Sequence, residues 1–515
     1  VGSEMCIRDR TMIEGAESIG KATGIIATSE ITHATPADFS AHTNDRSQYN
    51  SILRQQMNLD LEVALGGGFN KPSGFKDVED FNSYYNKRVE ELAAEGFDFV
   101  QTRDELLAYE GEKLWGSFAS ADLKYDYDRQ ADEDTVEPTL AEMTEKAVEV
   151  LEKNEDGFFL MVEGSKIDWA AHANDAAGAI GDIIAFDDAV NFAVEYAKEH
   201  QDTLVVVTTD HGNSGFSIGN SDTTNVYDNL TFEESIGQLQ GLSLSTETFT
   251  SLVEGKSDSE ISELITKYYG YTGVTQDEIN LAKEGKVNQV IAKRAKIGYT
   301  TGGHTGGDVY LGVYAPTGVE KLRGIVDNTE LPQYIAKNLS LNLDLATEQL
   351  FSNVERVATG MEASYEVNED DKDNPYVIIT KDNVELKLHI DTDVVEVNVE
   401  GKETVFERLS GVTVYNEGTV YGSSEEISTI LTKAIENNKV EKPSTPPTVD
   451  NENPSDDHKT DKNEIEDTTS RPTTSEKPTN NKKPTTGLQV ASGVLGGVAV
   501  ALIGFKGLVA KKRNK

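Results

Sequence analysis

The chain holds 8 histidines in 515 residues, and several of them stand beside carboxylates where apolar runs end. The run 158–162 is followed by Glu163, Asp168 and His172. The run 204–209 is followed by Asp210 and His211, in Thr208-Thr209-Asp210-His211-Gly212-Asn213. A third group, Gly302-Gly303-His304-Thr305-Gly306-Gly307-Asp308, stands just before the apolar stretch 309–313. A lone Asp-His pair is ordinary polar surface, and Asp168-x-x-x-His172 alone only puts two side chains on one helical face. The three groups together supply His and Asp suited to zinc, with further oxygen ligands suited to magnesium.

Such residues need a scaffold that brings distant strand ends together. Thr139 and Glu142 make a capping box, and Leu140, Met143, Ala147, Val150 and Leu151 then fall on one helical face. A short strand follows at 158–162. Next comes a long helix over about 175–200, with Ile180, Ile183, Ile184, Ala193, Tyr196 and Ala197 apolar, and then a strand at 204–207. Upstream, Met12, Ile13, Ala16 and Ile19 set a helix pattern that Gly20 stops, and a strand follows at 24–28. Continuous apolar strands alternating with helices mean a parallel sheet buried on both faces. The expected fold over 11–345 is α/β: a three-layer αβα arrangement with a largely parallel central sheet. Ligands of such sheets bind outside the carboxyl ends of the strands, where the three groups stand. Residues 355–440 read as a small β-rich module, with short strands at 377–379, 384–388 and 394–399.

Composition narrows the function. Asp and Glu total 90 against 47 Lys and Arg, a net charge of -43, which excludes a nucleic-acid partner. Cys6 is the only cysteine, so no disulfide forms within the chain. Residues 1–10 show no clean period and read as a non-native leader. At the other end, 441–487 is rich in Pro, Thr, Asn, Lys and Glu and reads as a disordered linker. A flexible coil of that length averages roughly 35–40 Å end to end. An uncharged run, 484–505, is just long enough to cross a hydrocarbon core of ~30 Å. Residues 488–510 are therefore expected to be a hydrophobic anchor, with the basic tail 511–515 kept inside. Lys483-Pro484-Thr485-Thr486-Gly487 resembles a sortase signal of the Leu-Pro-x-Thr-Gly kind, with Lys in place of Leu. Membrane or cell wall is thus the expected partner of the C-terminus, on the extracellular face of a Gram-positive bacterium.

The metal groups resemble those of the alkaline phosphatase family. The resemblance rests on Glu163-Gly164-Ser165-Lys166-Ile167-Asp168-Trp169-Ala170-Ala171-His172, on Thr209-Asp210-His211 and on His304-Thr305-Gly306-Gly307. His33-Ala34-Thr35-Pro36-Ala37 and Asp45-Arg46 match it too. It covers roughly 11–345, in the family's order, and implies a phosphomonoesterase with two zinc ions and one magnesium ion. It places Asp168, His172 and His304 on the first zinc, Asp210 and His211 on the second, and Thr35 and Glu163 on magnesium. Arg46 is implied to grip the phosphate of the substrate, a small phosphate monoester. His33 and Trp169 stand where some relatives carry Asp and Lys, and would act behind the ligands.

The family attacks through a serine in an Asp-Ser-Ala or similar turn, forming a phosphoserine. No Asp-Ser-Ala or Asp-Ser-Gly occurs here, and Asp258-Ser259 lies in a late, helix-like insertion. The expectation is that the nucleophile segment belonged to a lost N-terminal portion and that this chain is inactive. Two other readings stand beside the phosphatase. One is a related metal-dependent phosphodiesterase or sulfatase; the other is a non-catalytic surface binding protein. A homodimer is left open.

Overall fold

The structure is a computed structural model that describes residues 9–68, 78–370, 374–439 and 498–504. Its centre is an eight-stranded sheet. Six of its strands are β1 (Ala22–Glu30), β2 (Val63–Gly67), β3 (Asp98–Val100), β4 (Leu114–Ser117), β5 (Phe158–Gly164) and β6 (Thr203–Thr209). β1 pairs in parallel with β2 and β5, and β4 pairs in parallel with β2 and β3. Two further strands run antiparallel. Leu311–Tyr314 pairs with β6 at the edge, and Val498–Gly504 lies between β5 and β6.

Both faces of this sheet are covered, and the side chains show it residue by residue. Along β5, Phe159 and Met161 enter one core while Phe158, Leu160 and Val162 enter the other. β6 divides likewise, with Leu204 and Val206 on the first side and Val205 on the second. This period of two, with neither face polar, is what a sheet between two helical layers requires. One layer includes the helices Met12–Glu17, Tyr49–Asn58 and Glu330–Leu339; the other includes Leu140–Leu151 and Ala176–His200.

The capping box of Thr139 and Glu142 is formed, and all five apolar positions read on its helix are buried. The long helix needs a correction. Ile184 faces solvent, at 49% exposure; Ala193 and Ala197 are buried as expected, and Phe186 and Ala189 complete the stripe. Small residues dominate there because the helix packs closely on its neighbours: a Cβ at Gly181 would meet the Tyr127 ring at 2.9 Å. The insertion holding Asp258-Ser259 is a helical subdomain with its own core around Phe249, Ile265 and Ile291.

Beyond residue 350, a five-stranded antiparallel sheet spans Ser364–Asn368 to Val405–Arg408, alongside the helices Val354–Gly360 and Ser424–Lys439. The expected β-rich module is therefore β-rich with two covering helices. It docks on the first domain through Val412 and Val414, which join the core beneath the sheet, and through polar bonds. Arg54 donates to the Ile390 carbonyl at 3.1 Å, and the Gln55 amide donates to Asp391 at 2.8 Å.

Both ends differ from expectation where they are described. Arg10, placed in the leader, is buried; its backbone N–H donates to Thr347 and its guanidinium pairs with Glu14. Residues 1–8 lie outside the described residues. At the other end, residues 498–504 of the expected anchor form the strand between β5 and β6. An apolar run satisfies a central strand as well as a membrane span, because both remove it from water. The linker 441–487, the rest of the anchor segment and the tail 511–515 lie outside the described residues. Among the described residues, no helix is long and apolar enough to cross a membrane.

Candidate metal centre

The sheet delivers the candidate ligands to one edge. Glu163 is the last residue but one of β5, and the Ser165–His172 helix begins directly after the strand, so Asp168 and His172 lie one helical turn apart. Asp210 follows β6. His304 comes from far along the chain, yet the two-residue strand His304–Thr305 pairs antiparallel with Gly212–Asn213 and brings it beside His211. Glycine at 212 lets the two strands approach closely: a Cβ there would stand 2.5 Å from the Thr305 hydroxyl.

The resulting cluster is tight. One ligand atom each from Asp168, His211 and His304 lies within 4.8 Å of the others. The rings of His211 and His304 stack with centroids 3.6 Å apart, and those of His172 and His304 are 5.1 Å apart. His172 Nε2 is 3.5 Å from Asp168, and His211 Nε2 is 3.2 Å from Asp210. All five expected zinc ligands are thus gathered. The closest triad takes His211 where the resemblance implied His172.

Neighbouring groups aim these ligands. The His172 Nδ1–H donates to the Gly302 carbonyl at 2.8 Å, which leaves Nε2 with its lone pair toward Asp168. The Asn213 amide donates to the Asp168 carboxylate at 2.7 Å. Partial desolvation, then the neighbouring His211, lowers the pKa of the largely exposed His304 and favours the neutral, ligating imidazole. The His211 Nδ1 is buried without a hydrogen-bond partner. An orphaned imidazole nitrogen among carboxylates is costly alone and natural beside a cation. The donor set of nitrogen and carboxylate oxygen fits zinc.

A second, drier group adjoins it. Glu163 is 7% exposed; it accepts from the Ser165 hydroxyl at 2.5 Å and is hydrogen-bonded to Thr35 in the first turn of the Ala34–Ser40 helix. Burial pushes its carboxyl up to about 7, despite those bonds and helped by Asp210 and Asp168. Glu163 and Thr35 are therefore joined, as a pair of oxygen ligands to one hard cation would be.

Arg46 stands in a turn held by Asp45, which accepts from the Ser47 backbone at 2.9 Å and its hydroxyl at 2.7 Å. Its Nη2 is 3.4 Å from His33 Nε2, and His33 meets Trp169 edge to face with ring centres 5.2 Å apart. His33 and Trp169 thus back the arginine. Asn213, Ser165 and Asp122 were not singled out from the sequence. Asn213 sits two residues after His211, which is the one local signal it gave. The influence of Asp122 on His33 and on Glu30, whose carboxyl rises to about 7 through burial and Asp122, crosses a long sequence gap.

Comparison with known proteins identifies a family. The family model described as alkaline phosphatase matches residues 6–341, beginning inside the segment expected to be a leader. Alkaline phosphatase 3 of Bacillus subtilis is 35% identical over 356 residues, 65% of this chain and 72% of that protein. The repressible alkaline phosphatase of Saccharomyces cerevisiae is 30% identical over 387 residues, covering 66% of this chain and 68% of its own. Among solved structures, the alkaline phosphatase of Thermus thermophilus superposes with a TM-score of 0.56 at 26% identity, covering 66% of this chain and 77% of that one.

Proposed function

The chain belongs to the alkaline phosphatase family, and from that premise we propose that its metal centre serves the hydrolysis of phosphate monoesters, releasing inorganic phosphate. The observation that carries this reading is the convergence of Asp168, His211 and His304 within 4.8 Å, beside the buried Glu163 and Thr35.

Asp168, His172, His304, Asp210 and His211 would hold two zinc ions, and Glu163 with Thr35 a magnesium ion. Bound zinc supplies Lewis acidity, lowering the pKa of an attacking oxygen and steadying a leaving one. The chain's own residues do the rest. Arg46 offers two parallel N–H donors to phosphate oxygens. Asn213 fixes Asp168, and the Gly302 carbonyl fixes the tautomer of His172. The partly exposed face of the cluster leaves a path for a small ester; the Asp210 side chain is 38% exposed.

We place the serine nucleophile outside the residues gathered here. Ser29 and Ser165 adjoin the site but are buried and bonded to one another at 3.1 Å. Ser259 lies on an exposed helix facing Glu263. The 515-residue chain is then expected to bind zinc and inorganic phosphate but to turn over no ester, while a clone that supplies the serine is active at alkaline pH. Zinc stoichiometry together with assays on a phosphate monoester, a phosphate diester and a sulfate ester tests this. Turnover by the 515-residue chain overturns the placement of the nucleophile; preference for the diester or sulfate by the active clone overturns the substrate class. The surface tether stays part of the proposal. Release of the full chain from cells by detergent supports a membrane anchor, and release by a wall-degrading enzyme supports wall attachment.

A further inference from the structure

Lys166 is only 7% exposed, although it points from the helix that carries Asp168 and His172. Its ammonium lies between two aromatic faces, 4.2 Å from the centre of the Tyr125 ring and 4.6 Å from that of Trp169. Among the described residues no carboxylate comes within 4.0 Å of it; Glu30 and Asp182 face it from farther away, and it eases the ionisation of both. A desolvated ammonium held by ring faces is a strong and directional contact. The Tyr125 ring is itself fixed. Tyr125 is 5% exposed and packs on Ala170 and Ala179, and Gly178 lets the long helix approach it, since a Cβ there would meet the ring at 3.3 Å. The backbone N–H of Lys166 donates to the Thr28 hydroxyl at 3.2 Å, tying the clamp to β1. From Trp169 the contact continues edge to face onto His33 and from His33 to Arg46 Nη2.

We infer that Lys166 is a positioning residue for phosphate binding: clamped between Tyr125 and Trp169, it holds the Trp169–His33 wall that sets the orientation of Arg46. The inference rests on the phosphatase reading of the site. Lysine suits the position because its long stem reaches both rings while its charge is attracted to each face. Methionine keeps the stem and loses the charge; arginine keeps the charge and stacks on rings.

The test uses the full chain loaded with zinc and magnesium, with inorganic phosphate as the probe. Two readouts are followed: phosphate affinity by calorimetry and acrylamide quenching of tryptophan fluorescence. Trp115 is fully buried, so quenching reports Trp169. Lys166→Met is expected to weaken phosphate binding about 3–10-fold and to raise quenching about twofold, with metal content unchanged, while Lys166→Arg restores both. Tyr125→Leu removes one face of the clamp without touching the lysine and should shift both readouts the same way by less. Unchanged phosphate affinity and quenching in both variants, with metals bound, would overturn the inference. So would failure of Lys166→Arg to restore what Lys166→Met loses. If the loaded parent chain binds no phosphate, the phosphatase reading fails, and quenching alone decides whether Lys166 holds Trp169.

Discussion

Histidine meets carboxylate in two regions of this protein, with opposite consequences. Beneath the sheet, His42 Nε2 lies 2.9 Å from Glu14, and both side chains are at most 3% exposed. At the sheet edge, His172 and Asp168 are 3.5 Å apart with 38% and 21% of their side chains exposed. The first pair is saturated. Arg10 also pairs with Glu14, and Gln55 brackets the backbone of His42 by accepting from its N–H at 2.7 Å and donating to its carbonyl at 3.0 Å. The second region keeps a buried ring nitrogen of His211 unsatisfied and turns ligand atoms of three residues toward one point. What separates a structural pair from a metal site is thus how many donors and acceptors remain unspent, and whether solvent can reach them.

The saturated pair is where the largest effect on folding is expected. His42→Ala leaves part of the Glu14 charge buried without its partner, a loss of about 3–5 kcal/mol. Urea unfolding should show it, while zinc affinity, measured on the folded fraction, stays the same. A drop in zinc affinity, or a stability change near zero, would erase the distinction between the two regions.

His304→Ala should do the reverse. Zinc affinity should fall by more than the ~10–100-fold usual for residues behind the ligands, and one equivalent of zinc should be lost on dialysis. The metal-free protein should unfold at nearly the parental urea concentration, because His304 is exposed and makes no core contact. Normal zinc content in this variant would remove it from the ligand set. Arg46→Ala is expected to be milder: both metals are retained and phosphate binding weakens about 10–100-fold, the worth of charge-assisted hydrogen bonds. Calorimetry with inorganic phosphate measures it.

Much of the open region was legible in the sequence because its ligands follow strands and helices with clean periods. Glu163 stands at the end of β5, one residue before its last, and Asp210 follows β6, so reading the strands located the ligands. Thr139 and Glu142 marked a helix start for the same reason: a capping box is a local hydrogen-bond pattern. The saturated pair was not legible. Glu14 looks like any acidic residue in a first helical turn, and its partner stands 28 positions away. The clamp on Lys166 hides similarly, since Tyr125 reaches it from the loop that leads into another helix. The run containing 498–504 admits two readings for a different reason. Apolarity reports removal from water, and a central strand and a membrane span both achieve that. Which of the two it serves depends on an unfilled place between β5 and β6, a property of the folded sheet alone.

The short helix Met12–Glu17 offers the finest test, because it carries two carboxylates with opposite environments. Burial opposes the charge on Glu14, yet His42 and Arg10 hold its carboxyl well below the ordinary range. Glu17 has no such cation. Burial, and then the charge of Glu14, push its carboxyl up to about 8, although the Thr23 hydroxyl donates to it at 3.0 Å. A raised folded-state pKa means that the folded chain binds more protons than the unfolded one between the ordinary value and about 8. Stability must therefore fall as pH rises through that window, and the loss is complete above it. Glu17→Gln removes the ionisation and keeps the shape. At pH 4 the Glu17 carboxyl is protonated in the folded chain and largely so in the unfolded one, and the variant should melt close to the parent. Above pH 8 it should be more stable by a few kcal/mol, at about 1.4 kcal/mol per unit of pKa, and melt several degrees higher. Melting curves of the metal-free proteins across pH 4–9 would show the gap opening upward. A constant gap, or one that opens toward acid, would mean that Glu17 is satisfied as Glu14 is, and that one helix turn does not separate the two environments.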